Sequence, residues 1–306
     1  MGGRSSEHEI SLGSARSVVE SLDRERYDVV PVEIPREGPW LPGPGDLAGV
    51  DVVFPVLHGP FGEDGTVQGL LELADVAYVG AGVTASALAM DKDLFKSVMR
   101  DKGIPVARSV TLRPGGAAES PFGLPCVVKP ARLGSSVGIS IVRAAEELPA
   151  AVDLAFDHDE KVLVEEFLEG VEVECSVLGN LDPVASVPGE IVPLASDWYD
   201  YEAKYAEGGM ELVIPPRVPA ESAARVQELA VAAFVASDCE GMARADCFVR
   251  PDGQVVVNEL NTIPGFTATS VYAKLFEASG ISYPDLLDRL VELAIERRDR
   301  RARLRY

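Results

Sequence analysis

The sequence predicts a mixed α/β protein that begins with an open, mostly parallel sheet and continues in antiparallel strands. In the first hundred residues, strand-like apolar runs at 28–34, 50–57 and 77–82 alternate with segments of helical periodicity. Beyond about residue 104 the strand-like runs follow one another in pairs, which is typical of antiparallel hairpins. A chain of 306 residues has room for two or three lobes.

The N-terminal elements place a candidate ligand site at one sheet edge. Helical spacing of apolar residues is found at 12–22, at 66–74 and from about residue 84. Ligands of parallel sheets bind at the carboxyl ends of the strands, which here carry His58 and the turn "GPFGEDG". The opening "MGGRSSEHEISLGSA" reads as a strand-to-helix turn without a strand before it, so we expect this sheet to lack its first strand.

The second half of the chain predicts strands, one long loop and two helices. "PCVVKPA" pairs with "GISIV", and "KVLVEEFLEGVEVECSVLGN" reads as two strands joined by a glycine turn. The polar, aromatic stretch after residue 185 has the length of a lid or binding loop. Helices are predicted from Ser222 to about Ser237 and from Pro284 onward.

Charge and composition exclude several classes of protein. The 28 Lys and Arg residues against 49 Asp and Glu residues leave no net positive field for nucleic acid. The arginine-rich segment 297–305 is predicted to be a solvated helix end rather than a binding tail. No apolar run approaches the roughly 20 residues that cross a bilayer, and the first residues contain no apolar h-region, so we do not expect secretion. The four cysteines form no CxxC pair, so we expect buried thiols in a cytoplasmic protein.

A lysine followed by a glycine loop is the first candidate for chemistry. Lys129 ends a strand-like run, and "LGSSVG" then supplies two glycines around two serines. Backbone N–H groups in such a loop can approach a phosphate closely. Taken alone, such a loop is more often a structural hairpin turn, and the lysine immediately before it favours the phosphate site.

A candidate metal site lies further along the chain. Glu259 and Asn261 are two residues apart in one strand-like run and therefore share a face, and Asp246 can join them from the neighbouring strand. Oxygen ligands of this kind suit Mg²⁺ or Mn²⁺ shared with nucleotide phosphates. The alternative is a set of exposed charged strand residues.

Eight segments together resemble the D-alanine–D-alanine ligases of the ATP-grasp superfamily, from residue 2 to about residue 295. They are "GGRSSEHEISLGSA", "LHGPFGEDGTVQGLLE", "ALAMDK", "VVKPARLGSSVGIS", "VEEFLEGVEVECSVLGN", "YDYEAKY", "RADCF" and "NELNTIPGFTATS". The resemblance implies an ATP-grasp fold, in which ATP lies between two antiparallel sheets. The expected lobes are 1–92 (the open sheet), 93–183 (central) and 184–306 (with the metals and lid).

The resemblance also implies how the nucleotide and metal are held. The family joins two D-alanines through a D-alanyl phosphate, using ATP and two Mg²⁺ or Mn²⁺ ions, to make a peptidoglycan precursor. The segment "EEFL" resembles the hinge that binds adenine largely through backbone groups, and Glu172 matches the acid that binds ribose. The implied ATP-binding residues are Lys92, Lys129, Ser136, Glu165, Glu166, Leu168 and Glu172. The implied metal ligands are Asp246, Glu259 and Asn261.

For the amino acids, the resemblance implies two groups of residues. Glu7 holds the first D-alanine and forms a hydrogen-bonded triad with Ser135 and Tyr205, while Arg244 and the N–H of Gly265 form the oxyanion hole. The implied substrate-binding residues are His58, Lys204 and Ser270. Without the resemblance, Glu7 equally favours a helix start through the helix dipole, and His58 is equally a structural histidine.

The identity of the second substrate and the assembly are further expectations. The resemblance implies that Tyr205 favours an amine over a hydroxyl, because relatives that use D-lactate replace this tyrosine, and hence D-alanine over D-lactate. A D-alanine–D-lactate type of ligase, or a nucleotide-binding protein with an impaired amino-acid site, stays an alternative. The family implies a homodimer, with no nucleic acid or membrane partner.

Overall fold

The computed structural model describes residues 1–38, 47–194 and 209–305. Within these residues the helices are α1 His8–Ser21, α2 Thr66–Leu73, α3 Val83–Met90, α4 Lys92–Asp101, α5 Leu148–Phe156, α6 Ala220–Ala236, α7 Val271–Ala278 and α8 Tyr283–Arg301. The strands are β1 Val52–Val53, β2 Ala77–Tyr78, β3 Ser109–Leu112, β4 Cys126–Pro130, β5 Ser140–Val142, β6 Val162–Glu166, β7 Val171–Gly179, β8 Val184–Ala185, β9 Gly189–Pro193, β10 Met210–Val213, β11 Gly241–Val249 and β12 Val255–Asn261.

The N-terminal sheet is parallel, as predicted, but much smaller than predicted. β1 and β2 pair in parallel, and Gly2 forms a further parallel bridge with Ile34. The predicted strand at 28–34 does not form. Pro31 lacks the backbone N–H that a strand would use to pair. Val30 and Val32 are exposed, and only Ile34 of this run is buried. Residues 1–3 lie beside Ile34 and hydrogen-bond to it. They occupy the position of the first strand that was expected to be missing.

A four-stranded antiparallel sheet, in the order β3-β6-β4-β5, forms the central region. The predicted pairing of "PCVVKPA" with "GISIV" is confirmed, since Cys126 lies opposite Val142. Helix α5 covers one face of the sheet, and its residues Leu148 and Val152 pack in a buried cluster with Val128. The other face is left for a ligand.

A larger antiparallel sheet contains β10-β9-β7-β11-β12, with β8 beside β7. The expectation that residues 161–180 form one hairpin is wrong, because β6 joins the central sheet and β7 joins this one. Gly170 lies at the crossing: a Cβ there would come within 2.5 Å of the Val249 carbonyl oxygen. The glycine thus permits a close approach between chain segments rather than a hairpin turn.

The C-terminal helix packs against both the N-terminal sheet and β11, and its arginine-rich end is only partly the solvated end that the sequence predicts: Arg298, Arg303 and Arg305 are exposed, and the other arginines have partners. Arg297 of α8 is only 3% exposed and donates to the carbonyl oxygens of Tyr78 and Gly80 at the end of β2. Arg300 and Arg301 pair with Glu240. The Arg297 guanidinium therefore caps the carboxyl end of β2. Periodicity alone could not reveal this partner.

Two further expectations concern cysteines and membranes. The four cysteines are buried and reduced, as predicted. No helix in the described part of the chain has the length and apolarity that crossing a membrane requires.

Candidate active site

A cavity of about 460 Å³ lies between the central sheet and the larger sheet. The predicted residues that line it are Lys92, Lys129, Ser135, Ser136, Glu165, Glu166, Leu168, Glu172 and Glu259. They come from the start of α4, from β4 and β6 of the central sheet, from β7 and β12 of the larger sheet, from the segment between β6 and β7 and from the glycine loop. The structure thus brings together the residues that sequence resemblance assigned to ATP.

Two buried lysines face this cavity from different elements. Lys92, at the start of α4, donates to the Leu133 carbonyl oxygen at 2.9 Å and lies 3.3 Å from Glu259 Oε2. Lys129, near the end of β4, forms an ion pair with Glu165 Oε2 at 2.8 Å. Buried ammonium groups held by carboxylates supply the positive charge that an acidic chain needs to bind a polyanion.

The side chains of the two hinge glutamates have different surroundings: that of Glu165 is buried, and that of Glu166 is paired at the surface. Burial alone would raise the pKa of Glu165, but Lys129 and Lys96 outweigh that penalty and hold the pKa below its ordinary value, so this carboxylate is charged. Glu166 instead accepts from the Arg108 backbone N–H and guanidinium, each at 2.9 Å, on an exposed surface. The Glu166 carboxylate is therefore held by Arg108, apart from the buried lysines.

The predicted metal ligands meet across β11 and β12. Asp246 lies directly opposite Glu259, and Asn261 Nδ2 donates to Asp246 Oδ2 at 2.9 Å. Carboxylate oxygens of Glu172, Glu174 and Asp246 also lie within 4.8 Å of one another. This oxygen-only donor set, beside a lysine-lined cavity, fits a hard divalent cation such as Mg²⁺.

Arg244 is fixed by two carboxylates on neighbouring strands. Its Nε lies 2.7 Å from Asp246 Oδ1 and 2.9 Å from Glu174 Oε2, and its Nη2 donates to Asp246 Oδ2 at 2.8 Å. Glu174 is fully buried in β7. The planar guanidinium is therefore held in one orientation, as a preorganised donor requires.

A long-range hydrogen bond joins the N-terminal region to the glycine loop. Ser135 Oγ donates to Glu7 Oε1 at 2.5 Å, across 128 positions of sequence. Ser135 and Ser136 adopt φ values of 54° and 57°, in the left-handed region that non-glycine residues rarely occupy. Glu7 is the residue before α1, but its side chain makes no capping hydrogen bond. The hydrogen bond to Ser135 is thus a further role for this carboxylate, and the alternative of a helix start favoured by the dipole stays open.

The turn after β1 is tied to the segment that carries Gly265. His58 donates from Nδ1 to the Ile263 carbonyl oxygen at 3.0 Å, and its Nε2 lies 3.3 Å from Ser14 Oγ. Burial lowers the pKa of His58, so the ring is neutral at pH 7. Both ring nitrogens are thus engaged within the protein, which favours the structural alternative for this histidine. Glu63 accepts from the Gly59 N–H at 2.6 Å, and burial raises its pKa to about 8.

The remaining predicted residues are only partly placed. Ser270 precedes α7 and its Oγ accepts from the Thr267 N–H at 3.0 Å; a Cβ on Gly265 would lie 3.3 Å from the same oxygen. Ser270 therefore shapes the loop that presents Gly265. Lys204 and Tyr205 lie outside the described residues.

Sequence reasoning missed Glu174 and Lys96, although both left a signal. Glu174 is two residues from Glu172 in a strand, so the two side chains share a face. Lys96 occupies the buried stripe of α4 with Lys92, Phe95 and Met99, a helical spacing in which two positions are lysines. A lysine at an apolar stripe position indicates a buried charge partner.

Comparisons with known proteins agree with this arrangement. Residues 98–292 match the family described as "D-ala D-ala ligase C-terminus", and residues 1–48 and 43–81 match "D-ala D-ala ligase N-terminus". A D-alanine–D-alanine ligase of Solibacter usitatus is 48% identical over 97% of this chain and 94% of its own length.

Two solved structures are similar over nearly their full lengths. The VanG D-Ala:D-Ser ligase of Enterococcus faecalis gives a TM-score of 0.87 at 37% identity, covering 96% of this chain and 97% of its own. The D-alanine–D-alanine ligase of Bacillus anthracis complexed with ATP gives a TM-score of 0.84 at 30% identity, covering 98% and 97%.

The fold and the lysine-lined cavity between two antiparallel sheets define an ATP-grasp enzyme, in which a nucleotide and a carboxylate substrate meet. The relatives then specify the family. This chain belongs to the D-alanine–D-alanine ligase family.

Proposed function

We propose that this chain ligates two D-alanines to D-alanyl-D-alanine, with ATP cleaved to ADP and phosphate, as a step in peptidoglycan precursor synthesis. The family assignment supports the activity. The observation that carries it is the Ser135–Glu7 hydrogen bond. It connects the loop beside the nucleotide cavity with the carboxylate expected to hold the first D-alanine, so both substrates are presented to one another.

In the first step, a carboxylate oxygen of the first D-alanine attacks the γ-phosphorus of ATP, and ADP leaves. Lys92 and Lys129 face the cavity and neutralise phosphate charge, and the backbone at 165–168 reads adenine. Asp246, Glu259 and Asn261 would hold Mg²⁺ or Mn²⁺, which supplies charge neutralisation at the transferring group. Glu7 orients the D-alanine ammonium.

In the second step, the amine of the second D-alanine attacks the carbonyl carbon of the acyl phosphate. The carbon–oxygen bond to phosphate breaks, phosphate leaves with the electron pair, and the amine loses its proton. Arg244, held by Glu174 and Asp246, donates to the developing oxyanion together with the N–H of Gly265. Arg244 is poised for this before the reaction, so little reorganisation is needed.

The second substrate has a specific competitor. The VanG structure belongs to a D-Ala:D-Ser ligase, and its fold is as similar to this chain as those of D-alanine ligases. Tyr205, which favours D-alanine over D-lactate, lies outside the described residues. D-serine and D-lactate therefore belong in the assay. The homodimer, the cytoplasmic location and the lobe boundaries 1–92, 93–183 and 184–306 stay predictions.

The test is to incubate the protein with ATP, Mg²⁺ and D-alanine and identify products by mass, then to add D-serine or D-lactate in competition. We expect D-alanyl-D-alanine with equal amounts of ADP and phosphate, and no dipeptide from L-alanine. Glu7→Gln is the informative variant, and Glu9→Gln is its control, since Glu9 is exposed on the same helix start. ATP binding without any dipeptide would support the impaired-site alternative instead.

A further inference from the structure

Helix α4 carries a lysine that the proposed mechanism does not use. Lys96 is fully buried and lies one helical turn beyond Lys92, beside the core residues Phe95 and Met99. Burying an ammonium group without a partner costs several kcal/mol. Its retention inside the protein therefore requires an anionic partner, which the structure provides.

That partner is Glu165, whose carboxylate lies between two lysines. Lys96 Nζ lies 3.3 Å from Oε1, and Lys129 Nζ lies 2.8 Å from Oε2. Lys96 also donates to the Asn258 carbonyl oxygen at 3.4 Å, which fixes it to β12. Three elements, α4, β4 and β6, thus contribute one negative and two positive charges to a buried cluster.

The two lysines differ in their access to the nucleotide. Lys129 and Glu165 line the cavity, whereas Lys96 lies behind its wall and is not among the lining residues. Lys129 can therefore turn toward a phosphate, and Lys96 cannot. If Glu165 had Lys129 as its sole counter-ion, that movement would leave a buried carboxylate uncompensated.

We propose that Lys96 is a positioning residue: it is the fixed counter-ion of Glu165 that leaves Lys129 available to the phosphates of ATP. The inference rests on the proposed role of Lys129 as a phosphate ligand. Burial lowers the pKa of Lys96 to about 8 although Glu165 and Glu259 oppose this, so the ammonium form still predominates at neutral pH.

The first experiment replaces Lys96 by methionine, which keeps an unbranched chain and removes the charge. Without Lys96, Lys129 is retained by Glu165, so KM for ATP rises about tenfold or more. KM for D-alanine changes less than about twofold, and so does the inhibition constant of adenosine, which has no phosphate.

Two further variants serve as comparisons. Lys96→Arg retains the charge and keeps most of the affinity for ATP. The matched control is Lys102→Met, on the exposed end of the same helix, which leaves all these constants unchanged.

A double-mutant cycle separates this role from general damage. In a Glu165→Gln background the carboxylate charge is absent, so Lys96→Met changes KM for ATP less than about twofold. If the single variant Lys96→Met does not fold, KM for ATP is compared between Lys96→Met/Glu165→Gln and Glu165→Gln. A difference larger than about twofold would then contradict the proposal. An equal effect in both backgrounds, or parallel increases in KM for ATP and D-alanine, would overturn the proposal.

Lys129→Met distinguishes this inference from the assignment beneath it. If that variant leaves KM for ATP unchanged, the phosphate role of Lys129 is wrong and the proposed nucleotide site fails with it. If Lys129→Met weakens ATP binding while Lys96→Met does not, the inference about Lys96 alone is wrong.

Discussion

The two ends of the active site are built in different ways. At the nucleotide end, Lys92, Lys129 and Glu165 are buried on a helix and two strands and held by ion pairs of 2.8–3.3 Å. At the amino-acid end, Glu7 precedes a helix and meets Ser135, a loop residue in left-handed conformation, through one hydrogen bond. One end is fixed by regular structure and charge, the other by contacts between loops.

This difference indicates which changes affect which substrate. Residues on rigid strands keep their geometry when a distant loop changes, whereas a site assembled from loops depends on every contact that closes it. We therefore expect variants at the nucleotide end to impair ATP use, and variants at Glu7 to impair D-alanine use while ATP binding persists. Each prediction below tests that separation.

The largest effect is expected for Glu259→Gln. Glu259 lies opposite Asp246 and beside Lys92, so the change weakens both the metal site and the placement of the lysine. Metal stabilisation of transferring charge is worth several kcal/mol, so kcat falls on the order of 10³-fold. Steady-state kinetics at saturating Mg²⁺ checks this, with the exposed Glu277→Gln as control. A fall smaller than about tenfold would remove Glu259 from the metal site.

Glu7→Gln comes next and acts on the other end. A charge-assisted hydrogen bond contributes about 1.5–3 kcal/mol, so KM for D-alanine rises about 10- to 100-fold. Calorimetric titration with ATP gives an unchanged Kd. If ATP binding weakens as much as D-alanine binding, the two ends are not separable.

Glu174→Gln is expected to have an intermediate effect. The change leaves Arg244 with Asp246 but removes the second carboxylate charge, 2.9 Å from its Nε. Outer residues that orient a catalytic group commonly contribute about 10- to 100-fold, so kcat falls by roughly tenfold with both KM values little changed. If Glu174→Gln lowers thermal stability and changes kcat and both KM values together, Glu174 has only a structural role.

Glu63 makes stability depend on pH at the amino-acid end. Burial, and then Glu7, raise its pKa to about 8 from an ordinary value near 4.5. Between these two pKa values the folded state keeps a proton that the unfolded state releases. The contribution of Glu63 to the free energy of unfolding is therefore complete below pH 4.5 and is lost as pH rises through 8. Glu63→Gln, which mimics the neutral acid, should therefore gain several °C in Tm relative to wild type between pH 5 and pH 8.5. Glu169→Gln is the exposed control; equal pH profiles of Glu63→Gln and wild type would contradict the prediction.

The smallest effect is expected for Arg108→Ala. Arg108 is exposed and holds the outward side chain of Glu166, whereas the cavity is offered the hinge backbone. Surface ion pairs contribute little, so KM for ATP changes less than about twofold. A large increase would mean that the Glu166 side chain takes part in nucleotide binding.

The clustering of the proposed metal ligands was predictable from the sequence because strand periodicity alone places Glu259 and Asn261 on one face, and pairing then adds Asp246. Lys129 was a candidate from its position before the glycine loop, whereas Lys92 was predictable only through family resemblance. The predictions that were wrong concern residues with long-range partners. Gly170 was predicted to form a hairpin turn because its approach to Val249 is visible only in the structure, and Arg297 was predicted to be solvated because its partners at the end of β2 are distant in sequence. The helical spacing of α4 indicates that Lys96 is buried, but its partner Glu165 is 69 residues away, and no local pattern identifies that partner.

The most direct measurement is to supply D-alanine labelled with ¹⁸O in its carboxylate and to analyse the phosphate released. If both ends act on one acyl phosphate, the attacking carboxylate oxygen leaves with phosphate, which carries one ¹⁸O for each dipeptide formed. Phosphate without the label would mean that ATP is hydrolysed by water, and that the nucleotide end is not connected to the amino-acid end as described here.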